Sequence, residues 1–309
     1  MRPLTFVLTL VLCVALSSSA YAAPPQIGVV SNFGPNLTAA CPQPEGIAVD
    51  PQGNVYTSSF TPAGTICVVD RSGALVDTIA IGSPLIGMLF AQPAGLYVLD
   101  FGNARLLLVD PRTHASRTIA TGLGGPNAIA RDNRGNLFVS DSFGGRIWKI
   151  TPDGTKTAWK QDALLATAGF PPFGANGIAF DRHESNLYVS NTGDDRIVRI
   201  PVNADGTAGS VSIFASGIDG PDGIAFDVRG NLYVCANQAD EIAVLSPSGA
   251  RIATYRGTGS AALHFPASLA FHGRDLFITN LAFDHSFNPL PDSKISVLTA
   301  PFPGAPLHP

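Results

Sequence analysis

A short segment that recurs six times along the chain constrains its fold more than any other feature. In the copy at residues 220–234, Ile224 and Phe226 alternate with small or polar residues, and a polar turn separates them from Leu232 and Val234. This alternation is typical of two half-buried strands joined by a hairpin. The six copies align on positions 41 to 49 residues apart, which are Glu45, Ile86, Asn127, Asn176, Asp222 and Ala267. A repeat of about four strands predicts the blades of a β-propeller.

We therefore predict an all-β chain that forms a six-bladed β-propeller with four antiparallel strands in each blade. After the sixth copy, the chain offers only one further strand, near residues 294–298, whereas a β-like run at residues 27–32 precedes the first copy. We expect this N-terminal run to supply the outer strand of the last blade, because such closure removes exposed sheet edges. The propeller should occupy residues 24–309 as a single domain.

The first 23 residues do not resemble the repeats. Met1 and Arg2 precede an apolar stretch at residues 4–16, and small residues follow, including Ala20 and Ala22. This order predicts a secretory signal peptide, since a membrane anchor would need a longer apolar stretch. The mature chain is expected to be secreted or periplasmic, with no membrane segment after signal cleavage.

Composition restricts the partners that the mature chain could bind. Charged residues make up 14% of the chain and the net charge is −4, so nucleic acid is not an expected partner. Cys41 and Cys67 could form a disulfide in an oxidising compartment, and Cys235 is typical of a buried apolar filler. We expect a monomer.

Four of the six aligned positions carry a side-chain oxygen, namely Glu45, Asn127, Asn176 and Asp222. Each opens the innermost strand of its blade, so the four should converge on the central channel. Two carboxylates and two amides suit a hard divalent cation, and calcium accepts about six to eight such oxygens in irregular geometry. Other divalent cations are alternatives, although zinc would favour His or Cys ligands. A further alternative is that these side chains only cap backbone groups at the channel rim.

Two insertions interrupt the repeat, at residues 161–174 and at residues 281–293. Both should rise around the mouth of the channel that carries the four oxygen donors, and long loops on a rigid scaffold often bind ligands. The second insertion contains His285, which could assist proton transfer, or could simply be solvated.

The chain resembles the six-bladed calcium propellers of the regucalcin/gluconolactonase (SMP-30/gluconolactonase/LRE-like) family, and its blades are also similar to NHL repeats. The family resemblance implies that one catalytic calcium is held by residues from blades one, three, four and five, which here are Glu45, Asn127, Asn176 and Asp222. One departure is that Gly125 and Pro126 precede Asn127, where the family often has an Arg that grips sugar lactones. This departure disfavours gluconolactone itself as the substrate.

The sequence thus indicates a secreted calcium-dependent hydrolase of small lactones or related esters. The ion would act as a Lewis acid, Asp222 would be the general base or the nucleophile, and His285 could assist. Two other functions stay open. One is a non-catalytic NHL-like propeller that binds a ligand or protein on its top face. The other is a ring-opening lyase, which would need a His-based acid–base site at the mouth.

Overall fold

The computed structural model describes residues 27–306, and the predicted signal peptide at residues 1–23 lies outside them. The described residues form six sheets of four antiparallel strands, and the first strand, β1 (Val30–Phe33), belongs to the last of them. Blade 1 contains β2 (Pro44–Val49), β3 (Val55–Ser59), β4 (Thr65–Val69) and β5 (Leu75–Ala80). Blade 2 contains β6 (Leu85–Ala91), β7 (Gly95–Asp100), β8 (Arg105–Val109) and β9 (Ser116–Thr121). Blade 3 contains β10 (Pro126–Arg131), β11 (Leu137–Asp141), β12 (Arg146–Ile150) and β13 (Lys156–Gln161).

The second half of the chain repeats the same order. Blade 4 contains β14 (Ala175–Phe180), β15 (Asn186–Asn191), β16 (Arg196–Pro201) and β17 (Ser212–Ser216). Blade 5 contains β18 (Pro221–Phe226), β19 (Leu232–Ala236), β20 (Glu241–Leu245) and β21 (Arg251–Tyr255). Blade 6 contains β22 (Pro266–His272), β23 (Asp275–Asn280) and β24 (Lys294–Thr299). Its outer strand is β1, which pairs with β24 and confirms the predicted closure.

Three single 3-10 turns are the only helical segments in the described part of the chain, at Thr192–Asp194, Asn237–Ala239 and Gly259–Ala261. None of them is long or apolar enough to cross a membrane. The inner strands β2, β6, β10, β14, β18 and β22 pack each against the next, and β22 returns to β2, so they form a closed ring. Apolar side chains fill the spaces between neighbouring blades.

A repeated aspartate explains the polar turn between the first two strands of a blade. In blade 1, Oδ1 of Asp50 accepts hydrogen bonds from the backbone N–H groups of Gln52 and Asn54, both at 2.9 Å. The side-chain amide of Asn54 donates to the other carboxylate oxygen at 2.7 Å. Gly53 takes a φ of 86° between them, a conformation that favours glycine. The Asp and Gly-Asn pattern in the repeats is therefore a local turn signal.

Every inner strand begins with a break in register, and this break contains the aligned position. In blade 1, Pro44 pairs with Ser59 and Ile47 pairs with Thr57, so Glu45 and Gly46 lie in the irregular part. The same shift occurs at the start of the other five inner strands. Bulges of this kind re-aim side chains, and here they set the direction of each aligned residue.

Hydroxyl groups on the second strand of a blade bind the inner strand of the next blade at the level of the aligned positions. Thr279 in blade 6 donates to the carbonyl of Glu45 at 2.6 Å, and Ser190 in blade 4 donates to the carbonyl of Asp222 at 2.6 Å. Ser140 in blade 3 donates to the carbonyl of Asn176, also at 2.6 Å. These buried bonds fix the backbone of three of the four predicted metal ligands.

Candidate metal centre and active site

Two buried carboxylates from distant parts of the chain face the same space at the mouth of the channel. Glu45 in blade 1 is 4% exposed, and Asp222 in blade 5 is 5% exposed. Burial, together with the charge of Asp222, raises the pKa of Glu45 well above its usual value. Burial raises the pKa of Asp222 to about 7, although hydrogen bonds from Asn237 and Asn176 oppose the shift. Without a compensating cation, the pair therefore favours retaining a proton.

The side chain of Asn176 is held so that its oxygen is free. Its amide nitrogen donates to the hydroxyl of Thr192 at 2.8 Å, and that hydroxyl donates to the carbonyl of Pro221 at 2.8 Å. Thr192 thereby links blades 4 and 5 beside the carboxylate of Asp222. The carbonyl oxygen of the Asn176 side chain is buried and accepts no hydrogen bond.

A second asparagine supports Asp222 directly. The side-chain nitrogen of Asn237 donates to Oδ2 of Asp222 at 3.0 Å, and Asn237 is only 3% exposed. Its own side-chain oxygen accepts no hydrogen bond and lies against Gly220, where an added Cβ would be 2.1 Å away. Gly220 has a φ of 60°, so a larger residue here would meet both a steric and a backbone penalty.

The donor set at this end of the channel fits a hard cation. Oε2 of Glu45 and Oδ1 of Asn176 are buried acceptors without a donor, and such atoms cost free energy unless a partner satisfies them. Asn127 opens β10 at the equivalent position and is 4% exposed. No three His, Cys, Asp or Glu side chains cluster within residues 27–306. A cation here would thus depend on amide oxygens as well as the two carboxylates.

The remaining two aligned positions are apolar, as the sequence indicates. Ile86 packs in a buried cluster with Leu99 and Leu123, against which Phe60 and Phe101 also pack. Ala267 packs with Phe265 and Leu281 in a smaller cluster on the same side of the mouth. The two apolar residues, in blades 6 and 2, therefore flank Glu45, and the other three oxygen donors occupy blades 3 to 5.

The two insertions meet at the channel mouth. Gln161 still belongs to β13, so the first insertion effectively begins one residue later than predicted. Thr167 in this loop donates to Asp194 at 2.6 Å, which fixes the loop on blade 4. The ring of Phe170 contacts the ring of Phe287 in the second loop, with centroids 5.2 Å apart.

His285 lies in the second loop, with 66% of its side chain exposed. Its Nε2 is 3.2 Å from Oδ2 of Asp240 in blade 5. No hydrogen bond joins it to Glu45 or Asp222 among the contacts of the described residues. It therefore occupies the rim of the mouth, whereas the carboxylates lie below.

The sequence-based reasoning missed Thr192 and Asn237. Both occupy the position that follows the second strand of a blade, and this position forms a second aligned column: Phe60, Phe101, Ser142, Thr192, Asn237 and Leu281. Its polar members come from blades 3 to 5 and its apolar members from blades 6, 1 and 2. Aligning this second column would have singled out both residues.

Comparison with known proteins agrees with the resemblance. A family model described as the SMP-30/gluconolactonase/LRE-like region matches residues 173–282, and one described as strictosidine synthase-like, N-terminal, matches residues 41–61. Lactonase drp35 of Staphylococcus saprophyticus is 26% identical over 234 residues, covering 68% of each chain. A 6-deoxy-6-sulfogluconolactonase of Pseudomonas putida is 26% identical over 219 residues, covering 68% of this chain and 70% of that one.

Solved structures share the fold. A gluconolactonase from Xanthomonas campestris superposes with a TM-score of 0.69 at 18% identity, covering 91% of this chain and 99% of that one. The calcium-binding protein regucalcin from Agrobacterium tumefaciens gives a TM-score of 0.68 at 18% identity, covering 90% and 98%. A streptogramin B lyase gives 0.59 at 17% identity, covering 87% and 96%. Since this fold serves both hydrolases and a lyase, the chemistry must be argued from the site.

Proposed function

We propose that this propeller, which resembles the SMP-30/gluconolactonase/LRE-like family, is a secreted calcium-dependent hydrolase of lactones or related esters. One observation carries the proposal: Glu45 and Asp222 are both buried and close enough for the charge of Asp222 to raise the pKa of Glu45, and the side-chain oxygen of Asn176 is buried and unpaired. Relatives named as lactonases support the reaction class.

Glu45, Asn127, Asn176 and Asp222 would hold the cation. Calcium tolerates this all-oxygen set, and its two charges would balance the two carboxylates. When bound, the ion supplies electrophilic stabilisation of the oxygen of the substrate carbonyl. Thr192 and Asn237 do not need to be ligands, because their role is to orient Asn176 and Asp222.

Asp222 is the residue placed either to accept a proton from water or to form a bond to the carbonyl carbon of the substrate. As general base, it takes a proton from water while the water oxygen bonds to the carbonyl carbon. The ring C–O bond then breaks, and the proton passes to the leaving oxygen to give the hydroxy acid. As nucleophile, the carboxylate would attack the carbonyl carbon itself, the ring C–O bond would break as the leaving oxygen takes a proton from solvent, and water would then hydrolyse the resulting anhydride. In the cation-free protein burial raises the pKa of Asp222 to about 7, and a bound cation would favour the ionised carboxylate that acts as base or nucleophile.

His285 is proposed as an assisting group at the rim. Its contact with Asp240 holds the imidazole at the rim, where it could accept a proton from the departing product. It could not replace Asp222, because it is exposed at the mouth while Asp222 is buried below it.

The proposal is tested with a panel of lactones and aryl esters, assayed with calcium and with a chelator. Turnover should require calcium and should fall at least about a hundredfold in Asp222→Asn, as expected for loss of a base or nucleophile. Asp205→Asn, which changes an exposed hairpin carboxylate, is the matched control and should keep full turnover. Calcium-dependent melting without turnover of any substrate would instead support a non-catalytic binding propeller.

Isotope labelling separates the two roles of Asp222. In a single turnover in H2(18)O, a general base delivers the heavy oxygen from water to the product carboxylate. A nucleophilic Asp222, whose anhydride is hydrolysed by attack of water on the Asp222 side-chain carbon, leaves the first product unlabelled and places the heavy oxygen on its own side chain. Mass spectrometry of the product and of the peptide that contains Asp222 distinguishes the two.

Secretion or export to the periplasm is part of the same proposal. The described residues contain a disulfide between Cys41 and Cys67, which is favoured in an oxidising compartment. Mass spectrometry of the mature N-terminus should find that the chain begins after Ala22 or Ala23. A mature chain that retains Met1 would contradict the proposal.

A further inference from the structure

The channel mouth carries an arc of phenylalanine side chains that the proposed chemistry does not use. We define the phenylalanine arc as Phe60, Phe101, Phe143, Phe173, Phe170 and Phe287. Phe60 and Phe101 directly follow β3 and β7, and Phe143 lies two residues after β11. The ends of these strands pair with the starts of inner strands β2, β6 and β10, so the arc lies at the end of the channel where Glu45 opens β2.

The rings of the arc touch in sequence around the mouth. Phe60 contacts Phe101 with centroids 5.3 Å apart, and Phe101 contacts Phe143 at 5.9 Å. Phe143 contacts Phe173 at 5.4 Å. Phe173 shares the first insertion with Phe170, whose ring meets that of Phe287. The rings thus form a nearly continuous apolar wall.

The arc remains open to a ligand. Phe143 is 60% exposed and Phe170 is 68% exposed, which is unusual for side chains of this size. An exposed apolar wall beside a polar site typically marks a surface that is covered when a ligand binds.

Phe143 also connects the arc to the predicted metal ligands. A Cβ placed on Gly125 would lie 2.6 Å from the Phe143 ring, so this ring covers the backbone two residues before Asn127. The Phe143 ring therefore occupies the space that a longer side chain at position 125 would need. Hydroxyl groups of a sugar lactone would find an aromatic face here instead of a hydrogen-bonding partner.

Polar groups lie across the mouth from Phe60, Phe101 and Phe143, which belong to blades 1 to 3, whereas Phe170 and Phe287 belong to the two loops that contact blades 4 and 5. Blades 4 and 5 present the turns that begin with Thr192 and Asn237, and the carboxylate of Asp222 lies beside them. A substrate whose reacting carbonyl is directed toward Asp222 would have its substituent directed toward Phe60, Phe101 and Phe143, with Phe170 and Phe287 above it on the loops.

We propose that the phenylalanine arc is the subsite for an alkyl or aryl substituent, so that the preferred substrates are lactones or esters with an apolar side chain. The kinetic test of this inference rests on the proposed hydrolase function, whereas the binding test does not depend on turnover. Burying each methylene against the arc should raise kcat/KM about fourfold.

The kinetic experiment compares a series of γ-lactones from γ-butyrolactone to γ-nonalactone with glucono-δ-lactone. The expected result is a rise in kcat/KM with chain length and poor turnover of the sugar lactone. The double variant Phe143→Ser/Phe170→Ser should lose between about tenfold and about a hundredfold on the longest lactone, and little on the shortest. Phe302→Ser is the matched control, because Phe302 is also exposed but stacks on Arg229, in the turn at the opposite end of blade 5.

The binding experiment uses γ-alkyl lactams, which are not hydrolysed, measured by calorimetry. Affinity that rises with chain length and falls in the double variant supports the subsite even where no lactone is turned over. Turnover that favours glucono-δ-lactone, with no chain-length dependence of lactam binding, would overturn the inference and leave the hydrolase intact. Loss of binding to lipid vesicles in the double variant, with unchanged substrate preference, would identify the arc as a docking surface and also overturn it.

Discussion

Asn237 donates a hydrogen bond of 3.0 Å to Asp222, although the two residues are 15 positions apart in the sequence of blade 5. Asp222 lies in the irregular start of β18, and Asn237 lies in the turn after β19. The bond stabilises the ionised carboxylate, and it opposes the rise in pKa that burial imposes on Asp222. Asn237 is thus a positioning residue for the group on which the proposed chemistry depends.

Replacing Asn237 by Ala should shift the pH dependence of turnover. Losing a hydrogen bond to the charged form leaves the pKa of Asp222 higher, so the acidic limb of the kcat/KM profile should move up by about one pH unit. Asn103→Ala is the matched control, because Asn103 makes equivalent bonds to Asp100 in blade 2. An unchanged acidic limb in Asn237→Ala would show that this bond does not set the pKa of Asp222.

The cation-free protein should lose stability as pH rises from about 5 to about 8. Burial raises the pKa of Asp222 to about 7 and that of Glu45 well above its usual value, so the folded state binds protons more tightly than the unfolded state. This stabilisation is fully present below the unfolded pKa and disappears as pH passes the folded pKa. Asp222→Asn should flatten the melting-temperature profile, measured in chelator, and stabilise the protein at high pH by on the order of a few kcal/mol.

Calcium should reverse this trend. At about one hundred times its Kd, a ligand that binds only the folded state stabilises it by about 2.7 kcal/mol. Because ionised carboxylates bind the cation best, the increase in melting temperature should grow with pH. Glu45→Gln should weaken the calcium Kd by about tenfold or more while the fold is kept, as measured by calorimetry. A calcium response that is equal in Glu45→Gln and in the parent protein would place the ion elsewhere.

Replacing His285 by Ala should reduce kcat by no more than about tenfold, a small part of the loss expected in Asp222→Asn. The reason is its position, since His285 is exposed at the rim and pairs with Asp240. Steady-state kinetics of both variants on one lactone makes the comparison. A loss in His285→Ala as large as that in Asp222→Asn would require a histidine-centred mechanism, including the lyase alternative.

Removing the disulfide should lower stability without removing the site. Cys41 and Cys67 are 26 residues apart, and closing a loop of this length stabilises by about 3 kcal/mol. The bridge also anchors the segment that leads into β2, where Glu45 lies. Cys41→Ala/Cys67→Ala should therefore unfold at lower denaturant concentration and bind calcium somewhat more weakly. Cys235→Ala is a control that removes a buried cysteine but no disulfide.

Much of the fold could be predicted because its signals are local and repeated. The Asp50 turn and its relatives need only residues within four positions of each other, so each hairpin can be recognised in the sequence. Six copies at similar spacing then fix the number of blades. The closing strand β1 was predictable because the last blade lacked a fourth strand of its own.

The site could be predicted only in part. The aligned column identified Glu45 and Asp222 as candidate ligands because the repeat brings equivalent positions to one axis. Thr192 was not found, because its value comes from bridging Asn176 and Pro221, which belong to different blades. Aligning the positions after the second strands would show that residue 192 is polar, but the repeat pattern does not show which groups it contacts.

The sequence by itself determined an all-β propeller of six blades, its closure, and a column with four oxygen donors and two apolar residues. Only the tertiary structure decided that the bulges aim Glu45 and Asp222 into one buried space, and that Phe143 covers the approach to Asn127. The physical reason is that turns and strand periodicity depend on neighbours along the chain. Desolvation, shared protons and ring contacts depend instead on groups that meet only when the propeller closes.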